Sequence, residues 1–238
     1  MSTRKKRSRR TYTLASQKGG VGKSTLAMNL AAVENDVLTE GGNLEDSPVL
    51  VASIDPQGST VWWAARAEQQ ESLPFHATMI RNPLDLRKLR DMEQFDRIFI
   101  DSPGWIGAKP GSEPSDAAGQ AIEEALAITD LAIVPITTEP LSFDPTARTI
   151  EQVLEPRGIP YRVVINNWDP RDGRGDLDRT IEFIDAHGWS RANTVIRHYK
   201  VHARAAAAGL VVTEYPPNRA SFHAREDFQK LMLEMEVA

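Results

Sequence analysis

The octapeptide Lys18-Gly19-Gly20-Val21-Gly22-Lys23-Ser24-Thr25 constrains the fold of this chain more than any other feature. Three glycines within four positions let the backbone turn with positive φ and approach a ligand closely, so that successive N–H groups converge on phosphate oxygens. The residue types at 11–15 predict a strand before this loop, and residues 24–38 predict a helix whose positive N-terminal end faces the anion. Together they predict a nucleotide-binding P-loop, with a basic glycine-rich turn as the alternative.

Two aspartates follow strand-like runs further along the chain. Asp55 comes directly after the apolar run 49–54 and opens the segment DPQGS, and Asp101 ends the segment RIFID. An acidic residue at the end of a buried strand is costly unless a cation compensates it, and Mg²⁺ held by a nucleotide would do so. We therefore expect Asp101 to orient the metal through a bound water and Asp55 to position the attacking water. The alternative for either carboxylate alone is a helix N-cap or a turn.

Short apolar runs alternate with helical patterns over most of the chain, which predicts a single-domain α/β fold. We expect a P-loop NTPase with a mainly parallel twisted sheet flanked by helices on both faces. The predicted strands cover residues 11–15, 49–54, 75–80, 97–100, 131–136, 162–165 and 194–196. The predicted helices cover residues 24–38, 60–70, 83–92, 116–127, 144–154, 177–187, 200–208 and 219–235. Because ligands of open α/β sheets sit at the carboxyl ends of the strands, the P-loop, Asp55 and Asp101 should converge on one crevice.

Composition and charge narrow the possible chemistry. The 238 residues include no cysteine, which excludes disulfides, iron–sulfur clusters and thiolate zinc sites. The longest apolar stretches, such as 131–136, are too short to span a bilayer, and the N-terminus lacks the apolar core of a signal peptide, so we expect a cytoplasmic protein. Although the net charge is −5, residues 4–10 form a basic arm. The arm favours attachment to nucleic acid, and a solvated tail without a partner is the alternative.

Several segments resemble one known family when they are taken in order. They are KGGVGKST at 18–25, the segment 49–59 ending in DPQGS, IFIDSPG at 98–104, NWDPR at 167–171, and TVI at 194–196 leading into 205–209 and 214–215. Over residues 11 to about 233 the chain resembles the ParA/MinD family of deviant Walker ATPases, and within it the ParA partition proteins. The resemblance implies ATP and Mg²⁺ as cofactors and an ATPase domain over residues 11–238. The charge run before it predicts a basic flexible arm over residues 1–10.

The resemblance gives the two lysines of the P-loop different roles. Lys18 is similar to the signature lysine that crosses a dimer interface to the nucleotide of the partner subunit, and Lys23 matches the lysine that acts in its own subunit. A lysine supplied by the partner makes hydrolysis conditional on dimerisation, so a homodimer is expected in the ATP state. We expect Lys18, Lys23 and Asp55 to be the catalytic residues.

Further site residues are implied by the same resemblance. Thr25 matches a phosphate contact, Asp55 the residue that organises the nucleophilic water, and Asp101 the outer-sphere metal carboxylate. Asn167 and Trp168 match a loop near the base, with plain strand-end residues as the alternative. The expected nucleotide contacts are Lys18, Gly19, Gly20, Val21, Gly22, Lys23, Ser24, Thr25, Asn167 and Trp168. The residues expected around the metal are Ser24, Asp55 and Asp101.

The chain departs from the family at three places. Ser53 stands where members often have another aspartate, two residues before the one that matches Asp55, and Gln17 takes the place of the first glycine of an ordinary P-loop. The stretch 34–48 is longer and more acidic than the usual link into the second strand. For that stretch we expect a solvated loop.

ParA-like proteins generally bind nonspecific DNA as ATP-bound dimers, and the C-terminal half of this chain offers basic residues for it. Basic groups without interleaved aromatics predict phosphate contacts, and solvated helix faces are the alternative. The candidates are Arg171, Arg174, Arg197, Lys200, His202, Arg204 and Arg219, with Arg225 further on. We therefore expect a nucleoid-associated partition ATPase that a ParB-like adaptor protein stimulates, so as to segregate or position a replicon.

Three other functions remain open at this point. A MinD-like membrane-associated ATPase would use a basic amphipathic helix at its end, but residues 227–236 are apolar and acidic and predict a helix packed on the core, so no membrane partner is expected. A metabolic P-loop enzyme would have substrate-binding residues in a second pocket, which the sequence does not reveal. The third is a nucleotide-gated DNA-binding regulator whose hydrolysis is vestigial.

Overall fold

The fold is a parallel sheet covered by helices, as the alternating pattern predicts. The structure is a computed structural model and describes residues 8–40, 44–55, 58–68, 73–104 and 116–237. These residues form one seven-stranded sheet in which every pairing is parallel, in the order β3-β2-β4-β1-β5-β6-β7. The strands are β1 (Arg10–Leu14), β2 (Val49–Ser53), β3 (His76–Met79), β4 (Arg97–Asp101), β5 (Leu131–Ile136), β6 (Tyr161–Trp168) and β7 (Ile196–Arg197).

Eight α-helices are present in the described part of the chain. They are α1 (Lys23–Thr39), α2 (Ser59–Glu68), α3 (Asp85–Leu89), α4 (Ala117–Ala127), α5 (Phe143–Thr149), α6 (Gly175–Ala186), α7 (Lys200–Ala207) and α8 (Arg219–Glu236). Each predicted strand and helix has a counterpart, and most have shifted ends, while β5 has the predicted bounds. The differences are plain in β6, which continues to Trp168, and in α5, which passes into a π-helical turn at Ile150–Leu154.

Alternate residues of the central strands pack into two separate hydrophobic cores, one on each face of the sheet. In β4, Phe99 belongs to the core that α1 and α8 cover, whereas Ile98 and Ile100 belong to the core with α3 and α4. In β5, Ile133 and Val134 divide in the same way. This period of two with both faces buried is the pattern of a parallel sheet inside an α/β fold and confirms the predicted fold class.

The acidic stretch 34–48 departs from the expected solvated loop in its first residues, which belong to the helix predicted over 24–38, whereas residues 44–46 are exposed. Residues 34–39 are the last turns of α1. Glu34 is buried and lies 3.0 Å from Arg97, and Asp36 pairs with Arg225 on α8 at 2.6 Å. These carboxylates are therefore used inside the fold, where basic partners compensate their burial.

The C-terminal helix α8 packs on the core, as its apolar sequence predicts. Its residues Ala224, Phe228, Leu231, Met232 and Met235 are buried in the same core as α1. Among the described ranges, no helix has both the length and the apolarity that a bilayer span requires.

The amino end of the domain is fixed at the edge of the sheet where the strands begin. The guanidinium of Arg9 donates hydrogen bonds to the carbonyls of Phe95, Arg90 and Met92, and Arg10 opens β1. The last three residues of the predicted arm, 8–10, are thus held by the folded domain, since the Ser8 carbonyl also accepts a hydrogen bond from Arg97. Residues 1–7, which carry the rest of the arm, lie outside the described residues.

Candidate nucleotide-binding site

The loop between β1 and α1 has the backbone shape of a phosphate cradle. Gly20 and Gly22 have φ angles of 76° and 89°, in the left-handed region that favours glycine. A Cβ on Gly22 would lie 2.3 Å from the side-chain nitrogen of Asn166, which donates a hydrogen bond of 2.7 Å to the Val21 carbonyl. A Cβ on Gly104 would lie 2.9 Å from the Gly19 backbone. The cradle therefore requires glycine at these positions.

Lys23 extends beneath this loop. Lys23 is only 7% exposed, and its Nζ donates a hydrogen bond of 3.1 Å to the carbonyl of Lys18. Burial lowers the pKa of Lys23, whereas the carboxylates of Asp101 and Asp55 act in the opposite direction. An ammonium group held inside the loop, with carboxylates as its counter-charges, is placed to meet an anion that enters the cradle.

Asp101 lies at the centre of the site and is completely buried. Its Oδ2 accepts hydrogen bonds from the hydroxyls of Ser24 at 2.7 Å and Thr60 at 2.6 Å. Its Oδ1 has no hydrogen-bond partner among the described residues. Burial raises the pKa of this carboxyl, while the two hydroxyls and the ammonium of Lys23 act in the opposite direction. An unpartnered buried carboxylate oxygen beside a P-loop hydroxyl fits the water shell of a nucleotide-bound Mg²⁺.

Asp55 lies beside the cradle, as the sequence predicts. It shares a cavity of about 490 Å³ with Lys23, Ser24, Thr25 and Trp62. Pro56 and Gln57 of its motif lie outside the described residues. Within the described part of the chain, no cluster of three His, Asp or Glu residues has the arrangement of a metal site. A metal bound here would therefore need phosphate and water oxygens as ligands in addition to Ser24.

Lys18 does not share the position of Lys23. Its Nζ lies 3.1 Å from Oε2 of Glu139, and the side chains of the pair are 24% and 71% exposed. The backbone before it is held from two sides, since the N–H of Gln17 donates to Thr149 and the N–H of Lys18 donates to Ser16. The loop is thus fixed in place while the Lys18 ammonium lies at the surface.

A second cavity of about 490 Å³ adjoins the first and shares Gly20, Gly22 and Thr25 with it. Asn167 lines this cavity with a φ of 63°, and its side-chain oxygen lies 2.7 Å from Nδ1 of His198. Trp168 is not among the residues that line it. Its indole donates to the Gly173 carbonyl and packs against the core on the other face of the sheet. Of the two residues predicted near the base, the structure places only Asn167 at the cavity.

The basic residues predicted to contact DNA lie in different surroundings. Arg197 forms a salt bridge of 2.6 Å with Asp227, and burial lowers the pKa of His202 to about 4, so this ring is neutral at pH 7. Neither has the free positive charge that the prediction assumed. The exposed Arg171 and Arg174 pair with neighbouring aspartates, Asp169 and Asp178. Three candidates are exposed with no described acidic group in ion-pair range: Lys200, Arg204 and Arg219.

Thr60 is the site residue that the sequence analysis missed. It appeared there only as the first residue of a predicted helix. Its contact with Asp101 depends on how α2 approaches β4, and nothing in the local pattern signals that approach.

Comparison with curated proteins gives two informative relatives, while no protein-family model matches the chain. The chain is 29% identical over 227 residues to maintenance of carboxysome distribution protein A from Gloeobacter kilaueensis, covering 95% of this chain and 94% of that protein. It is 27% identical over 251 residues to the chromosome-partitioning ATPase Soj from Thermus thermophilus, covering 90% and 92%.

Solved structures share the fold over nearly the full length. The MinC:MinD cell division protein complex of Aquifex aeolicus matches with a TM-score of 0.72 and 16% identity, covering 96% of each chain. A variant of Cyanothece McdA in complex with ATP matches with a TM-score of 0.65 and 16% identity, covering 95% of this chain and 96% of that chain. At this level of identity the likeness shows the fold.

Proposed function

Because the chain belongs to the ParA/MinD family of deviant Walker ATPases, we propose that it forms a dimer with bound ATP, binds nonspecific DNA in that state and leaves the DNA after hydrolysis. The family uses ATP with Mg²⁺, and the glycine cradle and the unpartnered oxygen of Asp101 fit both. Nucleotide state would in this way control assembly state, which is the property that a positioning ATPase requires.

The observation that carries the proposal is the different placement of the two P-loop lysines. Lys23 lies inside the loop at the Lys18 carbonyl, whereas the Lys18 ammonium lies at the surface against Glu139. An exposed ion pair of this kind contributes little to stability. A more highly charged anion can therefore replace Glu139 as the partner of the ammonium at a small cost in free energy. The triphosphate of a second subunit is such an anion. We infer that Lys18 acts across a dimer and Lys23 acts within its own subunit.

The remaining roles follow from the same cavity. Lys23 and the backbone of the glycines would bind the phosphates, and Ser24 and Asp101 would hold the metal, one directly and one through water. Mg²⁺ supplies charge neutralisation on the phosphate oxygens when it is bound. Asp55, beside Lys23 and open to the cavity, would accept a hydrogen bond from the attacking water and orient it. Asn167 would contact the base from the adjoining cavity.

The DNA contact is best assigned to the exposed cations without acidic partners in the described part of the chain. Lys200 and Arg204 stand on α7, and Arg219 begins α8. Lys200 and Arg204 also line the cavity that adjoins the P-loop, so an occupied nucleotide site and a DNA contact would be close in space. Contacts of this kind neutralise phosphates without reading bases, and their affinity falls as salt rises.

The two curated relatives are named for different cargo, a carboxysome and a chromosome. We propose that the steps on DNA are common to them and to this chain, and that a ParB-like adaptor on the cargo stimulates hydrolysis. The MinD-like alternative needs a helix free to enter a membrane. The apolar side of α8 is instead buried against α1, which favours DNA as the surface that the dimer binds.

Co-sedimentation with DNA in the presence of ATP, ADP or no nucleotide tests the proposal. We expect retention with ATP alone. The Lys200→Ala/Arg204→Ala variant should show a weaker salt dependence, by about one unit of log–log slope for each phosphate that it no longer neutralises. Lys88→Ala removes an exposed lysine of α3 and should leave the slope unchanged. Retention on anionic liposomes instead of DNA would favour the MinD-like function, and retention without nucleotide would contradict the switch.

A further inference from the structure

The carboxylate of Asp101 is held from two helices at once. Ser24, in the first turn of α1, and Thr60, in the first turn of α2, donate to the same oxygen at 2.7 and 2.6 Å. The other oxygen is buried and receives no hydrogen bond from the described residues. The pair of hydroxyls therefore fixes which carboxylate oxygen stays available.

Thr60 reaches this position because α2 starts beside the strand ends. Gly58, just before α2, has a φ of 64°, and its N–H donates a hydrogen bond to the Asp55 carbonyl. Thr60 is 1% exposed, and its contact partner lies 41 residues away in the sequence. Ser53, which stands where members of the family often have another aspartate, is the register partner of Asp101, and its Oγ accepts a hydrogen bond from the Asp55 N–H at 3.4 Å. The hydroxyls that contact the carboxylate are those of Ser24 and Thr60.

The hydroxyl of Thr60 is used differently from those of other buried helical threonines in this molecule. Thr146, Thr149 and Thr180 each donate to the backbone carbonyl four residues earlier in the sequence. Thr60 donates instead to a side chain on a different strand. A hydrogen bond to a charged group is about twice as strong as one between neutral groups. This bond therefore does more to orient Asp101 than to complete α2.

We propose that Thr60 is a positioning residue for the metal site, an inference that rests on the proposed function of the cavity as a Mg²⁺–nucleotide site. It holds Oδ2 of Asp101 so that Oδ1 alone receives the water of the metal. Its hydrogen bond also fixes the start of α2, which follows Asp55 in the sequence, to the carboxylate of Asp101. Loss of the Thr60 hydroxyl therefore affects metal affinity more than nucleotide affinity.

The test measures ADP binding by calorimetry with Mg²⁺ and with EDTA, together with Mg²⁺ titrations of the ADP complex. Thr60→Val should weaken Mg²⁺ binding about tenfold, as loss of an outer-shell partner of a metal site does, and leave ADP binding in EDTA unchanged. Thr60→Ser keeps the hydroxyl and should restore the wild-type titration. Thr180→Val removes an equally buried threonine hydroxyl on α6 and should leave Mg²⁺ binding as it is.

The melting temperature of each ligand-free variant shows that it is folded, and Thr60→Ala serves if the valine is not accommodated. An unchanged Mg²⁺ titration in Thr60→Val and Thr60→Ala, or an equal loss of ADP binding in EDTA, overturns the positioning role. A wild-type protein whose nucleotide binding ignores Mg²⁺ overturns the proposed function itself, and the positioning role with it.

Discussion

Each end of the central strands buries a charged cluster, and the two clusters differ in how far protein groups satisfy their charges. At the edge where the strands begin, Arg97 is 4% exposed and lies 3.0 Å from Glu34 and 2.9 Å from Glu236. Its guanidinium also donates to the carbonyl of Ser8, and the hydroxyl of Tyr12 donates to Glu236. At the edge where the strands end, Asp101 is buried with one oxygen that has no partner among the described residues.

The difference separates a structural cluster from a binding site. The Arg97 cluster joins the ends of α1 and α8 to β1 and β4, and each of its ions has a partner within the protein. In the Asp101 cluster burial outweighs the neighbouring charges, so the pKa of Asp101 is raised and that of Lys23 is lowered, whereas Glu34 and Glu236 offset burial and the pKa of Arg97 is raised. A buried charge that the fold leaves partly uncompensated marks a place where a ligand completes the site.

The largest effect is expected at the completed cluster. Arg97→Met removes the cation and leaves Glu34 buried without its Arg97 partner, which should lower the free energy of unfolding by about 3–5 kcal/mol. Chemical denaturation of the ligand-free protein measures this loss. Nucleotide binding should persist in the fraction that is folded, since the cluster lies at the opposite edge of the sheet from the P-loop.

Two further variants check the cause. Adding Glu34→Gln to Arg97→Met should recover part of the stability, because the stranded charge is then gone. Lys88→Ala, which breaks an exposed pair with Asp85, should leave the free energy of unfolding almost unchanged. Equal losses in Arg97→Met and Lys88→Ala would show that burial of the cluster is not what matters.

A contrasting result is expected at the incomplete cluster. Asp101→Asn keeps an oxygen that accepts from Ser24 and Thr60, and removes a charge whose second oxygen has no described partner. The free energy of unfolding without ligand should therefore change by no more than about 1 kcal/mol. Mg²⁺ affinity of the nucleotide complex should fall by about 10- to 100-fold. Denaturation and Mg²⁺ titration measure the two quantities.

The control for this variant is Asp178→Asn, which removes an exposed carboxylate of α6 that pairs with Arg174. It should alter neither quantity. A large loss of stability in Asp101→Asn without ligand would mean that the two clusters have the same structural role, and the comparison would fail.

The incomplete cluster could be predicted from the sequence better than the completed one, for a physical reason. A P-loop needs glycines, a lysine and a hydroxyl within eight residues, so the local pattern specifies the phosphate cradle. Apolar runs that end in Asp55 and Asp101 likewise specify their places at strand ends. The Arg97 pairs join residues 63 or more positions apart, and only the packing of α1 and α8 on the sheet brings them together.

The same argument accounts for the predicted residues that the structure pairs with an acid or places away from the cavity. Arg197 meets Asp227 across 30 residues, and that pairing cannot be read from the spacing of charges in one segment. Trp168 packs on the same core as Ile165 because the left-handed φ of Asn167 and a register shift interrupt the alternation of β6, and the residue pattern does not signal that irregularity. Long-range packing therefore determines which predicted polar residues remain available to a ligand.

The smallest effect is expected at His202. Its largely buried ring has a protein partner at one nitrogen, like the Arg97 cluster, and none among the described residues at the other, like the Asp101 cluster. It lines the cavity beside the P-loop, Nδ1 has no partner among the described residues, and Nε2 lies 3.2 Å from the Arg197 carbonyl. Burial lowers its pKa to about 4, so the folded protein resists a proton that the unfolded chain accepts below about pH 6.5. Stability from this group is thus present above pH 6.5 and is lost as the pH falls toward 4. After allowance for the solvent-screened part of the ring, the loss of stability should be about 2 kcal/mol.

His202→Gln should flatten this part of the stability profile, which denaturation between pH 7 and 4 measures. The control is His187→Gln, which replaces an exposed ring just after α6 and should keep the wild-type slope. Parallel profiles for wild type and His202→Gln would mean that folding does not lower the pKa of this ring, and the ring would then not belong with the buried charges of the comparison.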